Sequence, residues 1–390
     1  MNMLIRTIKL RLRPHPQQET LLLEARQAVT DSFNQVCSLG WEQQQFNGVE
    51  LHKATYQAHR ALFKLPSQLA IAARMKATEA LLSARDRQRK GKPVTCPQSA
   101  CCPVRYDQRS YSVWFERGEV SLLTLQGRVR LTFRLAPCYT RYLGWDTDSA
   151  ELMRDRKGRW WLHVVVSRPL KEVTVQADPA TKVGVDLGIV SPAVDSRGWS
   201  YGSEHWQAVQ ERKFQLRREL QSKGTRSAKR KLKRMAGRER RFRRDCDHVL
   251  SKRLIQSMEA GGTLVFEDLT HIRGRVKARR AQRRRLHSWS FAQLQGFVKY
   301  KAQAAGIHVV EVDPRYTSQK CCQCQYVSRS NRPEQAVFKC RQCGFSCHAD
   351  YNAALNIRAN YLKSQGLPVN QPIVAIQGIT PFASVTSSGL

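Results

Sequence analysis

The sequence is poor in acid, and it has no long apolar run. Asp and Glu together number 31 of 390 residues against 66 Lys and Arg, a formal charge of +35. A chain with so few carboxylates repels itself unless a polyanion neutralises it, and nucleic acid is the usual polyanion. No uninterrupted apolar stretch approaches the roughly 18 residues of a membrane span. Arg6 also interrupts the opening residues too soon for a secretory leader. These absences predict a cytoplasmic protein with no membrane partner. The length excludes a single small module, at roughly 100–200 residues per domain. Cysteines spaced as a disulfide framework are missing too: of 12, six (Cys321, Cys322, Cys324, Cys340, Cys343 and Cys347) crowd into one short stretch. That clustering points to metal ligation in a reducing compartment.

The hydrophobic pattern changes period along the chain. Residues 4–12 alternate apolar and basic side chains, as a half-buried strand does, and Pro14 and Pro16 end it. Leu22, Ala25, Val29, Phe33 and Val36 then fall three and four apart, which predicts a helix, and helical pattern continues to Leu82. After Pro93 come short β-rich runs, 112–115, 129–133 and 160–166, separated by turns as in an antiparallel barrel or sandwich. The Trp160–Trp161 pair in the last run is assigned to the core. From Lys182 strands alternate with helices, the pattern of an α/β domain: a buried strand 183–190 with Asp186 in its middle, a long helix 211–258, a strand 262–269, a helix 290–305 and a strand 307–312. The long helix is strongly basic, with 18 Lys or Arg and 5 acids over 211–253, and 273–285 carries 8 basic residues and no acid.

Cys321-x-x-Cys324, fifteen intervening residues, then Cys340-x-x-Cys343 is the spacing of a four-thiolate zinc site. Four thiolates close the coordination shell, so the predicted role is structural. Cys322, Cys347 and His348 are alternative ligands. Three acids lie among apolar neighbours, where a lone charge is costly: Asp186 and Glu267 on strands, and Asp350 just before a helical run. A divalent cation would offset that cost. Taken alone, Asp350 could simply cap its helix, and Asp268 would point to the far side of its strand from Glu267.

The ordered motifs Gly184-Val185-Asp186-Leu187-Gly188, Phe266-Glu267-Asp268-Leu269, 317–324, 338–344 and 350–357 closely resemble those of the TnpB proteins of bacterial and archaeal insertion sequences. The resemblance implies an α+β multidomain chain. In it, a wedge-like N-terminal β-barrel (1–14 and 93–178) is interrupted by a helical recognition unit (15–92). An RNase H-like (RuvC-like) α/β nuclease domain (179–316 and 347–366) follows, with a zinc module (317–346) inserted and a flexible tail (367–390) behind it. Asp186, Glu267 and Asp350 are then catalytic and hold two Mg²⁺, for which Mn²⁺ can substitute, and Cys321, Cys324, Cys340 and Cys343 hold one structural Zn²⁺. The implied activity is RNA-guided cleavage of DNA beside a short flanking motif. Its partners are a guide RNA from the transposon end, target double-stranded DNA and the displaced single strand, with a monomer favoured. Lys229, Arg230, Lys231, Lys233, Arg234, Arg240, Arg241, Arg273, Arg275, Arg279, Arg280, Arg283, Arg284 and Arg285 would follow phosphate backbones. In one departure from the family pattern, Gln325 stands where glycine is frequent after the first knuckle. The competing readings are an RNase H-like DNA transposase or recombinase and a catalytically silent, guide-RNA-dependent DNA-binding regulator.

Overall fold

The alternation at the start of the chain folds into β1 (Met3–Arg11), with Leu4, Ile8 and Leu10 buried and the residues between them turned outward. The structure, a computed structural model, describes residues 3–170, 172–202, 204–270, 272 and 289–369. It divides into two units, Met1–Leu170 and Lys171–Leu390.

In the first unit β1 is followed by α1 (Pro16–Glu42), α2 (Gly48–Leu62) and α3 (Ser67–Arg89). The strands β2 (Val104–Tyr106), β3 (Tyr111–Trp114), β4 (Glu119–Thr124), β5 (Gly127–Thr132), β6 (Asp146–Arg154) and β7 (Trp160–Pro169) come next. They form two antiparallel sheets, ordered β1-β7-β6-β2 and β3-β4-β5, linked by a bridge between Leu12 and Phe133. One apolar core runs through both sheets and the three helices. Trp160 is 2% exposed within it, its indole N–H donating to Glu19; Trp161 is half-buried and donates to Asp155.

The second unit is built on β8 (Lys182–Asp186), β9 (Val194–Asp195), β10 (Thr263–Glu267) and β11 (His308–Val312), in the order β11-β10-β8-β9. β8, β10 and β11 run parallel, so long crossovers must join them. The first crossover holds α4 (Glu204–Lys223) and α5 (Arg226–Gln256), the second α6 (Phe291–Ala305). The expected single helix over 211–258 is thus two, broken where Gly224 turns left-handed (φ +62°) and Thr225 caps α5 by accepting from the Ala228 N–H. After β11 come a hairpin of β12 (Val337–Lys339) and β13 (Ser346–His348), then α7 (Ala349–Ser364).

Strand alternation sorts this sheet into two faces. Val183, Val185, Leu264 and Phe266 pack with Leu250 and Leu254 of α5 and Leu294 and Val298 of α6. Val265 packs on the other face with Ile357 and Tyr361 of α7. Gly184 lies on that second face, where a Cβ would stand 2.2 Å from the Ala354 carbonyl oxygen and 2.7 Å from the Arg358 nitrogen. Only glycine lets α7 come so close to β8. Arg358 then reaches across to donate to the Lys182 carbonyl. Among the described residues, no helix is long and apolar enough to cross a membrane.

Candidate functional site

The same two-residue period that puts Gly184 and Val265 under α7 puts Asp186 and Glu267 on that face, each the last residue of its strand. The strands pair in parallel up to Val185 and Phe266, so the two carboxylates leave adjacent strand ends together. Asp186 ends its strand rather than sitting in the middle: strand pairing stops there and the chain bends over 189–192 instead of continuing as strand to 190. Asp350 comes to the same place from the first turn of α7. It is not the cap of that helix, because His348 is, accepting the Asp350 N–H on Nδ1 at 3.2 Å. The Asp350 carboxylate instead accepts from the Arg332 guanidinium at 3.4 Å.

The three acids act on one another. Removal from water pushes the Asp186 carboxyl well above its usual range, the charges of Glu267 and Asp350 push it the same way, and Arg332 opposes them. Burial likewise raises Glu267, against a hydrogen bond from the Thr317 hydroxyl. Carboxylates that act on one another in this way, two of them raised, offer the oxygen donors that a divalent cation takes, and its charge would remove the repulsion; their oxygens do not all lie within 4.8 Å of one another, as the four sulfurs described next do. All three keep partly open surfaces, which leaves room for further ligands. Asp268 does not join them: its carboxylate accepts from the Thr270 N–H in a turn. Asp195, fully buried, is occupied by Arg197 and Tyr201.

The four thiols meet nearby in the sequence and closely in space. The sulfurs of Cys321, Cys324, Cys340 and Cys343 all lie within 4.8 Å of one another, with Cys321 to Cys343 at 3.7 Å and Cys324 to Cys340 at 3.5 Å. Sulfurs held at about 2.3 Å from a tetrahedral zinc stand about 3.8 Å apart, so the set fits that ion. Cys322 and Cys347 lie outside this group, which is the metal-ligand cluster found among the described residues. Both knuckles make the same turn. Cys321 N–H donates to Tyr326 O and Gln325 N–H to Cys321 O; Cys340 N–H donates to Phe345 O and Gly344 N–H to Cys340 O. The fifth residue of each turn is left-handed, Gln325 at φ +66° and Gly344 at φ +75°. Gln325 therefore occupies a glycine position, and its amide offsets the strain by donating to the carbonyls of Cys321 and Cys322.

Several residues in the site have partners that the sequence does not reveal. Thr317 holds Glu267, Arg332 holds Asp350, and Asn352, Asn356 and Asn360 form a row on α7, four residues apart. Asn352 and Asn356 donate to the Lys320 carbonyl at 2.8 and 2.6 Å, and Asn360 accepts from the Lys320 ammonium. The four-residue spacing on a helix is legible in the sequence; what it faces is not. On α5, Lys229, Arg230, Lys231, Lys233, Arg234, Arg240 and Arg241 are all exposed. Arg273, Arg275, Arg279, Arg280, Arg283, Arg284 and Arg285 lie outside the described residues, as does most of the tail.

Comparison with known proteins accords with these features. A family described as probable transposase matches residues 163–273, and one described as the Cas12f1-like TNB domain matches 291–357. A TnpB-like protein of Methanocaldococcus jannaschii is 36% identical over 138 residues, covering 34% of this chain and 47% of that protein. Over part of its length the chain is therefore similar to TnpB-like proteins. It is also similar to the CRISPR-associated endodeoxyribonuclease Cas12f1 of Sulfoacidibacillus thermotolerans, at 34% identity over 221 residues, 52% of this chain and 50% of that one. The chain spans about half the length of the curated relatives it matches. A cryo-EM structure of a Cas12f1–sgRNA–target DNA complex superposes on 92% of it and 99% of the solved chain, with a TM-score of 0.64 at 15% identity. That likeness is one of fold, mixed α+β.

Proposed function

We propose that this chain is an RNA-guided DNA endonuclease of a transposon, cutting target DNA beside a short flanking motif. The observation that carries the reading is the convergence of Asp186, Glu267 and Asp350 at the ends of two parallel strands and one helix. A sheet of this order with helices on both faces and acids at its strand ends supports an RNase H-like (RuvC-like) nuclease domain over 179–316 and 347–366, with 317–346 as its zinc module. The two bridged sheets and three helices of the first unit support a wedge-like barrel, 1–14 and 93–178, carrying a recognition unit at 15–92.

Asp186, whose carboxyl feels the charges of both Glu267 and Asp350, would hold the divalent ions together with those two acids. Mg²⁺ held there supplies water activation and neutralises charge at the scissile phosphate. The chain's own part is to hold the carboxylates in register: Thr317 orients Glu267, and Arg332 keeps a cation beside Asp350. The exposed bases of α5 supply phosphate contacts to guide RNA and the paired DNA, whose sequence is read by base pairing.

The test is to express the chain with the transposon-end DNA, sequence the copurifying RNA, and assay cleavage with Mg²⁺. One stoichiometric RNA with a constant scaffold and a variable guide is expected. Asp186→Ala, Glu267→Ala and Asp350→Ala should each lower cutting by on the order of 1,000-fold while leaving RNA bound. Heterogeneous RNA removable by salt would move the transposase reading ahead, and near wild-type cutting by any of the three variants would sink the acid assignment.

A further inference from the structure

Glu267 belongs to a strand, but the group that orients its carboxylate comes from the start of the cysteine module. Thr317 is 3% exposed, and its hydroxyl donates to Glu267 Oε1. The same hydroxyl lies 3.0 Å from the Pro314 carbonyl. A threonine has one proton to give, and the carboxylate is the stronger acceptor. Thr317 is itself pinned through its backbone. Its carbonyl accepts from the Asn356 amide at 2.9 Å, and that amide also reaches Lys320 O. Four residues later the turn delivers Cys321, the first of the four thiols, while the Cys322 N–H donates to Asn352 at 3.1 Å. Asn352 and Asn356 are both fully buried. A continuous path thus runs from the thiolate cluster through the 317–322 turn and the asparagine row of α7 to one oxygen of Glu267.

We propose that Thr317 is a positioning residue for Glu267, and that the four-cysteine module acts on the nuclease site by holding Thr317 in place. This rests on the metal-nuclease reading above. A partner fixing the orientation of a metal ligand is typically worth about 10- to 100-fold in metal affinity or activity. The freedom Glu267 gains without that hydrogen bond must be lost again each time it takes up an ion.

The experiment compares wild type, Thr317→Val and Thr317→Ser as full chains purified with their RNA. Four quantities are measured: zinc content, target-DNA binding, Mn²⁺ affinity by calorimetry without cleavage, and single-turnover cutting. The valine variant keeps the shape and loses the donor. It should retain one zinc and wild-type DNA binding, and lose about 10- to 100-fold in both Mn²⁺ affinity and cutting. The serine variant should return both to within about threefold of wild type, a recovery that a purely space-filling role would not give. If the valine variant loses zinc, Thr317→Cys replaces it, with nearly the same shape and a much weaker donor, and the same order is expected. Wild-type Mn²⁺ affinity in the donor-less variant, or a serine variant as impaired as valine, overturns the proposal. Glu267→Gln separates this from the underlying reading. Unimpaired cutting by that variant would refute the metal-nuclease reading itself. A dead Glu267→Gln beside a normal Thr317→Val removes only the positioning role.

Discussion

Three carboxylates and four thiols are gathered in the same unit, the first from residues 186, 267 and 350, the second from two CxxC turns. Both sets bring like-charged groups together; the sulfurs fit a zinc ion, and the carboxylates are proposed to take divalent cations. They differ in how the chain assembles them. Each CxxC turn is local, closed by its own two backbone hydrogen bonds, so only two halves must meet. The carboxylates have no local geometry of their own and depend on strand register and on α7 lying against Gly184. They differ also in closure: four thiols complete a tetrahedron, whereas three partly open carboxylates leave positions for water and phosphate. On the function proposed above, the comparison teaches that one cluster is structural and the other reactive because of what each leaves unfilled.

The contrast can be broken first at the thiols. Removing the metal with a strong chelator, or Cys340→Ser, should unfold residues 317–346, because structural zinc contributes on the order of 10 kcal/mol to folding such modules. Cutting should be lost with it, and hydrogen exchange should localise the unfolding to that stretch. Next comes the support of the acids. Gly184→Ala drives a Cβ into the backbone of α7 and should cost about 3 kcal/mol, the upper end for overpacking, with a lowered Tm as the readout.

A third prediction uses a buried acid outside both clusters as the contrast. Asp247 lines a cleft of about 490 Å³ beside Trp206, Phe242 and Trp289, and one of its carboxylate oxygens is buried without a partner among the described residues. Burial raises it to about 6 from 3.8. A folded-state value above the unfolded one means that stability is complete at low pH and is lost as pH rises from about 4 through about 6. Asp247→Asn should therefore stabilise the protein by about 1 kcal/mol at pH 7.5 and leave it unchanged near pH 4, as thermal melts at the two pH values would reveal. The smallest effect lies at the first knuckle. Gln325→Ala keeps the left-handed strain and loses the amide bonds, costing about 1 kcal/mol. Gln325→Gly loses both and should be close to neutral, as urea titrations of the two variants would show.

Much of this is legible in the amino-acid sequence. Cysteine spacing gives the thiolate cluster directly because its geometry is local. The acids can be picked out because charge among apolar strand residues is costly, whatever the fold. Other features depend on segments far apart in sequence coming together. Nothing near Thr317 says that Glu267, fifty residues earlier, will accept its proton, and Arg332 meets Asp350 only after the hairpin of β12 and β13 has formed. Pattern alone puts Asp186 in mid-strand because Leu187, Ile189 and Val190 prolong the apolar run past the point where pairing stops. It also carries the long basic helix through Gly224, because the periodicity on either side of that glycine is nearly continuous.

The most direct test of an open carboxylate site beside a closed thiolate site is metal content after exhaustive dialysis, followed by titration with Mn²⁺. The account predicts one zinc per chain that dialysis does not remove, together with exchangeable Mn²⁺ binding that Asp186→Asn abolishes without loss of zinc. Zinc that washes out freely, or Mn²⁺ binding indifferent to Asp186→Asn, would contradict it.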